Sequence, residues 1–292
     1  MASQRDIRRR IKSVKNTAQI TKAMQMVAAA RMRKAQQQAL AGRSYATLLD
    51  EMAHSLSAHS GDLSHPLLTV RPVKKTLTLV ISTDKGLCGG LNSNLFREVY
   101  RADNPNKVYV TVGRKGRQAL ARAGKTLLAD FELKDGFTFR DSKAVSRYCL
   151  TQFENGEVDE VEVFYSKYVN TISQVPTRVR VAPIGVSELT TLNPGSKTLA
   201  PVEGQGSAEY QFEPPAAELL GHLLPFYVHF EIYQHVLNAR ASEHSARMVA
   251  MKNATDNAKQ LVKDLTLQYN KARQASITTE ILEIASAAAQ DA

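Results

Sequence analysis

From Phe226 to the last residue, Ala292, the chain reads FYVHFEIYQHVLNARASEHSARMVAMKNATDNAKQLVKDLTLQYNKARQASITTEILEIASAAAQDA, with no glycine and no proline. Proline removes a helix donor and clashes with the preceding turn, and an interior glycine costs about 1 kcal/mol against alanine. A segment of this length with neither, rich in Ala, Leu, Lys, Gln and Glu, reads as one long helix. At about 1.5 Å per residue it spans on the order of 100 Å, whereas a mean globular helix has about 11 residues. It cannot bury itself in a core of its own. It needs a partner.

The partner is at the other end of the chain, where Ala2 to Ala41 again lacks glycine and proline. Ile7, Ile11, Val14, Ala18, Thr21, Gln25 and Ala28 alternate spacings of four and three, a heptad seam that turns to small residues. The C-terminal stretch has its own seam at Leu223, Phe226, Phe230, Tyr233 and Leu237, and again at Leu261, Leu265, Ala272 and Ala275. Complementary stripes on two terminal helices, with a globular insert between them, predict a long antiparallel coiled coil carrying a head. Two unrelated long helices in one bundle are the alternative.

The length, 292 residues, allows one or two domains and a sizeable core. The net charge is +10 and is concentrated: eleven basic side chains lie between Arg5 and Arg43, against Asp6 alone. Such a helix attracts nucleic acid, anionic lipid or an acidic protein surface, and composition does not choose among them. No apolar run approaches the ~20 residues of a membrane span, and no signal-peptide core is present. The Arg-rich start resembles a transit peptide, but the seam begins at Ile7 and runs on unbroken, which marks the segment as structural. Cys88 and Cys149 give neither a disulfide framework nor a metal spacing and fit a reducing compartment.

Between the helices the period changes. After the looser His54–Asp62 segment, Pro66 and Pro72 mark a linker. Leu77–Thr83 reads as a buried strand, followed by Asp84-Lys-Gly-Leu-Cys-Gly-Gly and a helix from Asn94 to Arg101. A strand from Lys107 to Val112, the turn Gly113–Gly116 and a helix from Arg117 to Ala123 form a second unit. A helix from Ser142 to Phe153 and strands at Glu160–Ser166 and Thr177–Pro183 complete a Rossmann-like α/β head with a mainly parallel sheet. Asn193 to Glu213 is a loop returning to the shaft. The expected division is 1–60 for the N-terminal coiled-coil helix, 61–208 for the head and 209–292 for the C-terminal helix.

The head carries no catalytic signature. Gly86, Gly89 and Gly90 follow a strand and precede a helix, as in a phosphate loop, but the spacing matches neither the dinucleotide nor the Walker fingerprint. Gly124-Lys-Thr sits where a helix ends, so it reads as a C-cap. The seven histidines are scattered; His222 and His229 share a helix face but read as packed or solvated side chains. No catalytic, cofactor or metal residue is expected.

Several blocks carry a specific resemblance: Lys22–Lys34 (KAMQMVAAARMRK), Ser82–Asn92 (STDKGLCGGLN), Asn170–Pro176 (NTISQVP), Ala241–Asn257 (ASEHSARMVAMKNATDN) and Tyr269–Ile281 (YNKARQASITTEI). Together they resemble the gamma subunit of the bacterial F-type ATP synthase, over nearly the whole chain. The resemblance implies a rotor shaft inside a ring of three alpha and three beta subunits, whose beta subunits hold the catalytic sites. The head would sit, with the epsilon subunit, on the membrane-embedded ring of c subunits, at the cytoplasmic side of the inner membrane. Proton flow would turn ring and shaft, and the asymmetric shaft would drive each beta subunit through binding, synthesis and release. Linkage makes this reciprocal, so hydrolysis drives reverse rotation. The chain itself would transmit torque and catalyse nothing.

The same resemblance implies residue roles. Arg247, Gln274 and Thr278 match positions that hydrogen-bond to catch loops of beta, with Glu280 nearby. Met24 lies in the methionine-rich block near the acidic lever of beta, which would give the basic helix a protein partner and no nucleic acid. Tyr210 and Glu213 match the foot on the polar loops of the c ring. The small-residue end Ile284–Ala292 suits a tip turning in an apolar sleeve. The head lacks a cysteine pair for a light-linked redox switch, and Asn193–Ala208 matches no family pattern. Two other classes compete: a basic coiled coil binding nucleic acid or a membrane surface, and a nucleotide-binding enzyme. The first requires steeply salt-dependent binding, and the second a phosphate motif.

Overall fold

The computed structural model describes residues 4–59, 65–184 and 216–290. Their order is α1 (Gln4–His59), β1 (Thr76–Ile81), α2 (Leu91–Arg101), β2 (Lys107–Val112), α3 (Arg114–Arg122), β3 (Leu127–Phe131), α4 (Phe139–Glu154), β4 (Glu160–Tyr168), β5 (Gln174–Ala182) and α5 (Ala216–Gln290). Two compact units result: residues 1–30 with 247–292, and residues 31–246.

The first unit is a pair of helices whose burial repeats at spacings of three and four. On α1 the covered positions include Gln4, Ile7, Ile11, Val14, Ala18, Thr21, Gln25 and Ala28; on α5 they include Met251, Thr255, Ala258, Val262, Leu265, Tyr269 and Ala272. Two hydrogen bonds fix the register. Gln4 Nε2 donates to the carbonyl of Ala272 at 3.3 Å, and the hydroxyls of Thr21 and Thr255 are 2.7 Å apart. In both pairs the residue numbers sum to 276, so the helices are antiparallel. The same sum places Ile7 level with Tyr269, Ile11 with Leu265, Val14 with Val262 and Ala18 with Ala258. Layers are bulky toward the start of α1 and small at Ala18 and Thr21, which lets the backbones draw together.

This register corrects half of the expected C-terminal seam. Leu265 is 8% exposed, but Leu261 is 47% exposed, and Val262 takes the covered position. One residue is about 100° of helix rotation, so the larger side chain lost to the one in phase. Ala275 is likewise exposed, and the half-covered position is Ser276.

Both helices overrun their glycine- and proline-free stretches. Helix α1 continues through Gly42, and α5 starts at Ala216 and passes Gly221 and Pro225. Leu224, Tyr227 and Val228 beside that proline are buried in the core. Tertiary packing sustains the helix where propensity opposes it.

In the second unit the sheet order is β3-β2-β1-β4-β5. Strands β1 to β4 pair in parallel, and β5 returns antiparallel to β4. One face carries Leu77, Leu79, Ile81, Val110 and Val163, in the same core as Val145, Cys149 and Phe153 of α4 and Tyr227, Val228, Ile232 and Val236 of α5. The other face carries Val80, Tyr109 and Phe164, packed with Leu95 and Val99 of α2 and Leu120 of α3. Each such fully buried side chain contributes about 1.5–3 kcal/mol relative to exposure.

Sequence reading missed β3, a five-residue edge strand, and placed the starts of α2, α3 and α4 three residues late. For α4 a signal existed: Thr138 and Asp141 form a capping box, the Thr138 N–H donating to the Asp141 carboxylate at 2.8 Å. Helix α3 starts directly after Gly113, whose φ is +96°. A Cβ there would lie 2.4 Å from the Ser82 carbonyl oxygen, so this turn against the end of β1 requires glycine.

Candidate functional site

The resemblance names residues on the two long helices, and the first unit holds most of them. Met24 is half-buried beside the seam positions Thr21, Gln25 and Ala28. Its neighbours Met26 and Val27 are 60% and 53% exposed. Arg247 is half-buried on α5, and by the 276 register it lies within about two turns of the level of Met24.

Gln274, Thr278 and Glu280 form a separate group. All three are exposed, some 40–50 Å along α5 from Arg247 at about 1.5 Å per residue. Gln274 and Thr278 are one turn apart, and the Thr278 hydroxyl donates to the Gln274 carbonyl at 2.9 Å. The Ser276 hydroxyl donates to Glu280 at 3.1 Å. Gln4 pairs with Ala272, so these residues lie past the level at which the described part of α1 begins. Gln274, Ile277, Thr278 and Ile281 are all exposed, so the end of α5 offers polar and apolar side chains at once. Tyr210, Glu213 and the 193–208 loop lie outside the described residues.

The basic side chains of the first helix keep to its outer surface. Arg5, Arg8, Arg9, Arg10, Lys12, Lys15 and Lys22 are exposed, off the seam. The charge is therefore exposed along the helix pair, where it can meet an acidic partner.

In a doubly wound sheet of this strand order, ligands bind at the carboxyl ends of the strands where the order reverses, here between β1 and β4. That crevice is occupied by the chain itself. Ala239, Arg240 and Glu243 of α5 line it opposite Ser82, Thr83, Asn92 and Ser166, and the remaining cavity is about 10 Å³. Arg240 donates to Asp84 at 3.1 Å, to Glu243 at 2.9 Å and to the carbonyl of Leu133. Burial opposes its charge, but the two carboxylates outweigh that and raise its pKa. Asp84, just before the Gly86–Gly90 loop, is thus held in an internal ion pair. A larger cavity of about 160 Å³ lies between α1 and the loop after β3, lined by Lys34, Gln38, Phe137 and an Arg31–Asp135 ion pair.

His222 is exposed, whereas His229 is buried with Nδ1 2.7 Å from the Ser146 hydroxyl. Burial, with Lys143 and Arg147 nearby, pushes its pKa down to about 4.

A family model described as ATP synthase matches residues 3–290. The chain is 53% identical to the ATP synthase gamma chain of Methylacidiphilum infernorum, covering 98% of each. It is 51% identical to that of Opitutus terrae, again covering 98% of each. Among solved structures it resembles a chain of the central stalk and c-ring of Tetrahymena thermophila mitochondrial ATP synthase. That match is 27% identical with a TM-score of 0.62, covering 80% of this chain and 99% of the other. A chain of the Euglena gracilis mitochondrial enzyme matches at 20% identity and a TM-score of 0.70, over 98% of this chain and 93% of that one; it shows the shared fold.

Proposed function

The chain belongs to the ATP synthase gamma-chain family, and from that premise we propose that it is the central rotor shaft of a proton-translocating ATP synthase. One observation carries the reading: 53% identity to a gamma chain along 98% of both sequences. The antiparallel helix pair supplies the mechanical part. Two helices in a fixed register resist bending and twisting better than one, and the exposed end of α5 presents contact groups to a surrounding ring. The partners are three alpha and three beta subunits, the epsilon subunit and the c-subunit ring. Torque passes between the ring and the alpha/beta hexamer, so proton flow and ATP synthesis or hydrolysis are linked reciprocally.

Within this reading residues 1–60 and 209–292 are the shaft and 61–208 the head. Arg247, Gln274 and Thr278 bind the catch loops of beta, with Glu280 beside them, and Met24 lies against the beta lever. Tyr210 and Glu213 form the foot on the c ring. The half-burial of Arg247 and the exposure of Gln274 and Thr278 support two contact levels along α5. The subunit transmits force and catalyses nothing; catalysis belongs to beta. No described helix is long and apolar enough to cross a membrane. Attachment through the c ring places the chain peripherally at the cytoplasmic side of the inner membrane.

Native mass spectrometry of the tagged chain with its co-purifying partners tests the reading. The expected species holds three alpha, three beta and one copy of this chain. A chain that is always recovered alone, or bound to nucleic acid, contradicts it. Arg247→Ala combined with Gln274→Ala is expected to lower ATP-driven proton pumping severalfold in the assembled complex while the isolated chain keeps its helix content. Unchanged pumping refutes those two roles.

A further inference from the structure

Every residue of α5 from Ala239 to Ser245 is buried, although the helix is polar there: Arg240, Ser242, Glu243, His244 and Ser245. Seven residues are about two turns, so the helix is enclosed around its whole circumference. Elsewhere on α5, beyond Met251, only one residue in three or four is covered. A helix buried all round is ordinarily apolar. This one is polar, and Arg240, Ser242, Glu243 and Ser245 have named partners.

Arg240 reaches Asp84 in the β1–α2 loop and the Leu133 carbonyl after β3. The Ser242 hydroxyl donates to the Ser166 carbonyl of β4 at 2.8 Å. The Ser245 hydroxyl donates to the Thr171 carbonyl in the β4–β5 turn at 2.8 Å. At about 100° per residue, Arg240 and Glu243 lie on one side of the helix axis and Ser242 and Ser245 on the opposite side. Ala239 and Ala241 occupy the flanks between them.

We propose that residues 239–245 form a collar that locks α5 against rotation about its own axis, with Arg240, Ser242 and Ser245 as the positioning residues through which torque enters the head. The inference rests on the rotor reading above. Apolar contact is proportional to area and indifferent to direction. Apolar packing sets which face of the helix is buried, but it resists a small twist less steeply than a hydrogen bond does. Hydrogen bonds weaken steeply when bent, and a buried donor left unpaired is costly. Directional bonds on opposite sides convert twist of the helix into force on four separate segments of the head. The crevice that other doubly wound sheets leave for a ligand is where this collar closes.

The test uses the assembled complex, its hexamer fixed to a surface and a bead attached to the head, at rest in a fixed nucleotide state. The variance of the bead angle is inversely proportional to torsional stiffness. Ser242→Ala with Ser245→Ala, and separately Arg240→Met, are expected to raise that variance about twofold or more, because directional bonds are lost and packing is kept. Unloaded ATP hydrolysis is expected to stay at the wild-type rate. Adding Asp84→Asn to Arg240→Met is expected to add little, since both remove one ion pair. Wild-type variance in the assembled serine variant overturns the collar, and that variant decides the matter even if Arg240→Met does not assemble. A wild-type bead that fails to rotate on ATP overturns the rotor reading and the collar with it. A wild-type bead that rotates, with unchanged variance in the variants, overturns the collar alone.

Discussion

Glu162 is fully buried near the start of β4, and three groups answer its charge: Lys107, Arg178 and the Thr78 hydroxyl at 2.6 Å. Removing one partner of a buried pair costs about 3–5 kcal/mol when the charge is left alone; without Lys107, Glu162 keeps only the half-exposed Arg178 and the Thr78 hydroxyl, so a large part of that cost is expected. Lys107→Met is therefore expected to lower the urea midpoint of the head strongly, and Lys107→Met with Glu162→Leu to recover much of the loss. His229 gives a pH dependence of known sign. Its folded pKa of about 4 lies below the usual 6.5, so the native state prefers the neutral ring. Above 6.5 the contribution is fully present. As pH falls from 6.5 toward 4 the unfolded chain takes the proton first, and stability declines, by roughly 1–2 kcal/mol after allowance for partial hydration. Urea titrations at pH 7.5 and 5 should show that drop, and His229→Gln should show a smaller one.

At the scale of elements, the paired helices make the sharpest distinction. Leu265 and Leu261 are the same residue type four apart on one helix, one covered and one exposed. In the isolated chain Leu265→Ala is expected to cost about 2 kcal/mol and Leu261→Ala under about 0.5, read from hydrogen exchange of α1 and α5. Equal effects contradict the register. A cross-link checks it directly: cysteines replacing Ala18 and Ala258 should bridge under mild oxidation, whereas Ala18 with Leu261 should not.

The α1 seam was legible in the sequence because its heptad positions carry Ile, Val and Ala in phase. The second half of the α5 seam was only partly legible. Its layers include Thr255, Ala258 and Tyr269, which hydrophobicity ranks below the exposed Leu261. The Thr21–Thr255 contact depends on two chain segments meeting, and no local pattern announces it. The parallel strands were read from β-branched runs, but the short edge strand β3 was hidden by its length. The collar was invisible for a different reason. A polar stretch such as Arg240–Ser245 reads as solvated surface, and only the fold shows that every residue in it is enclosed.

At the scale of the molecule, one end of the chain bears the entire net charge of +10, and the head's ligand crevice is filled by its own helix. Both facts suit a part that works through surfaces and force. The most direct measurement fixes the alpha/beta hexamer to a surface, attaches a bead to the head of this chain and supplies ATP. As a rotor, the chain should turn the bead in one direction, in three pauses per turn as successive beta subunits fire. A cross-link from α5 to one beta subunit should stop both rotation and hydrolysis until it is reduced. Steady hydrolysis with a motionless bead, or with the cross-link intact, would contradict the assignment.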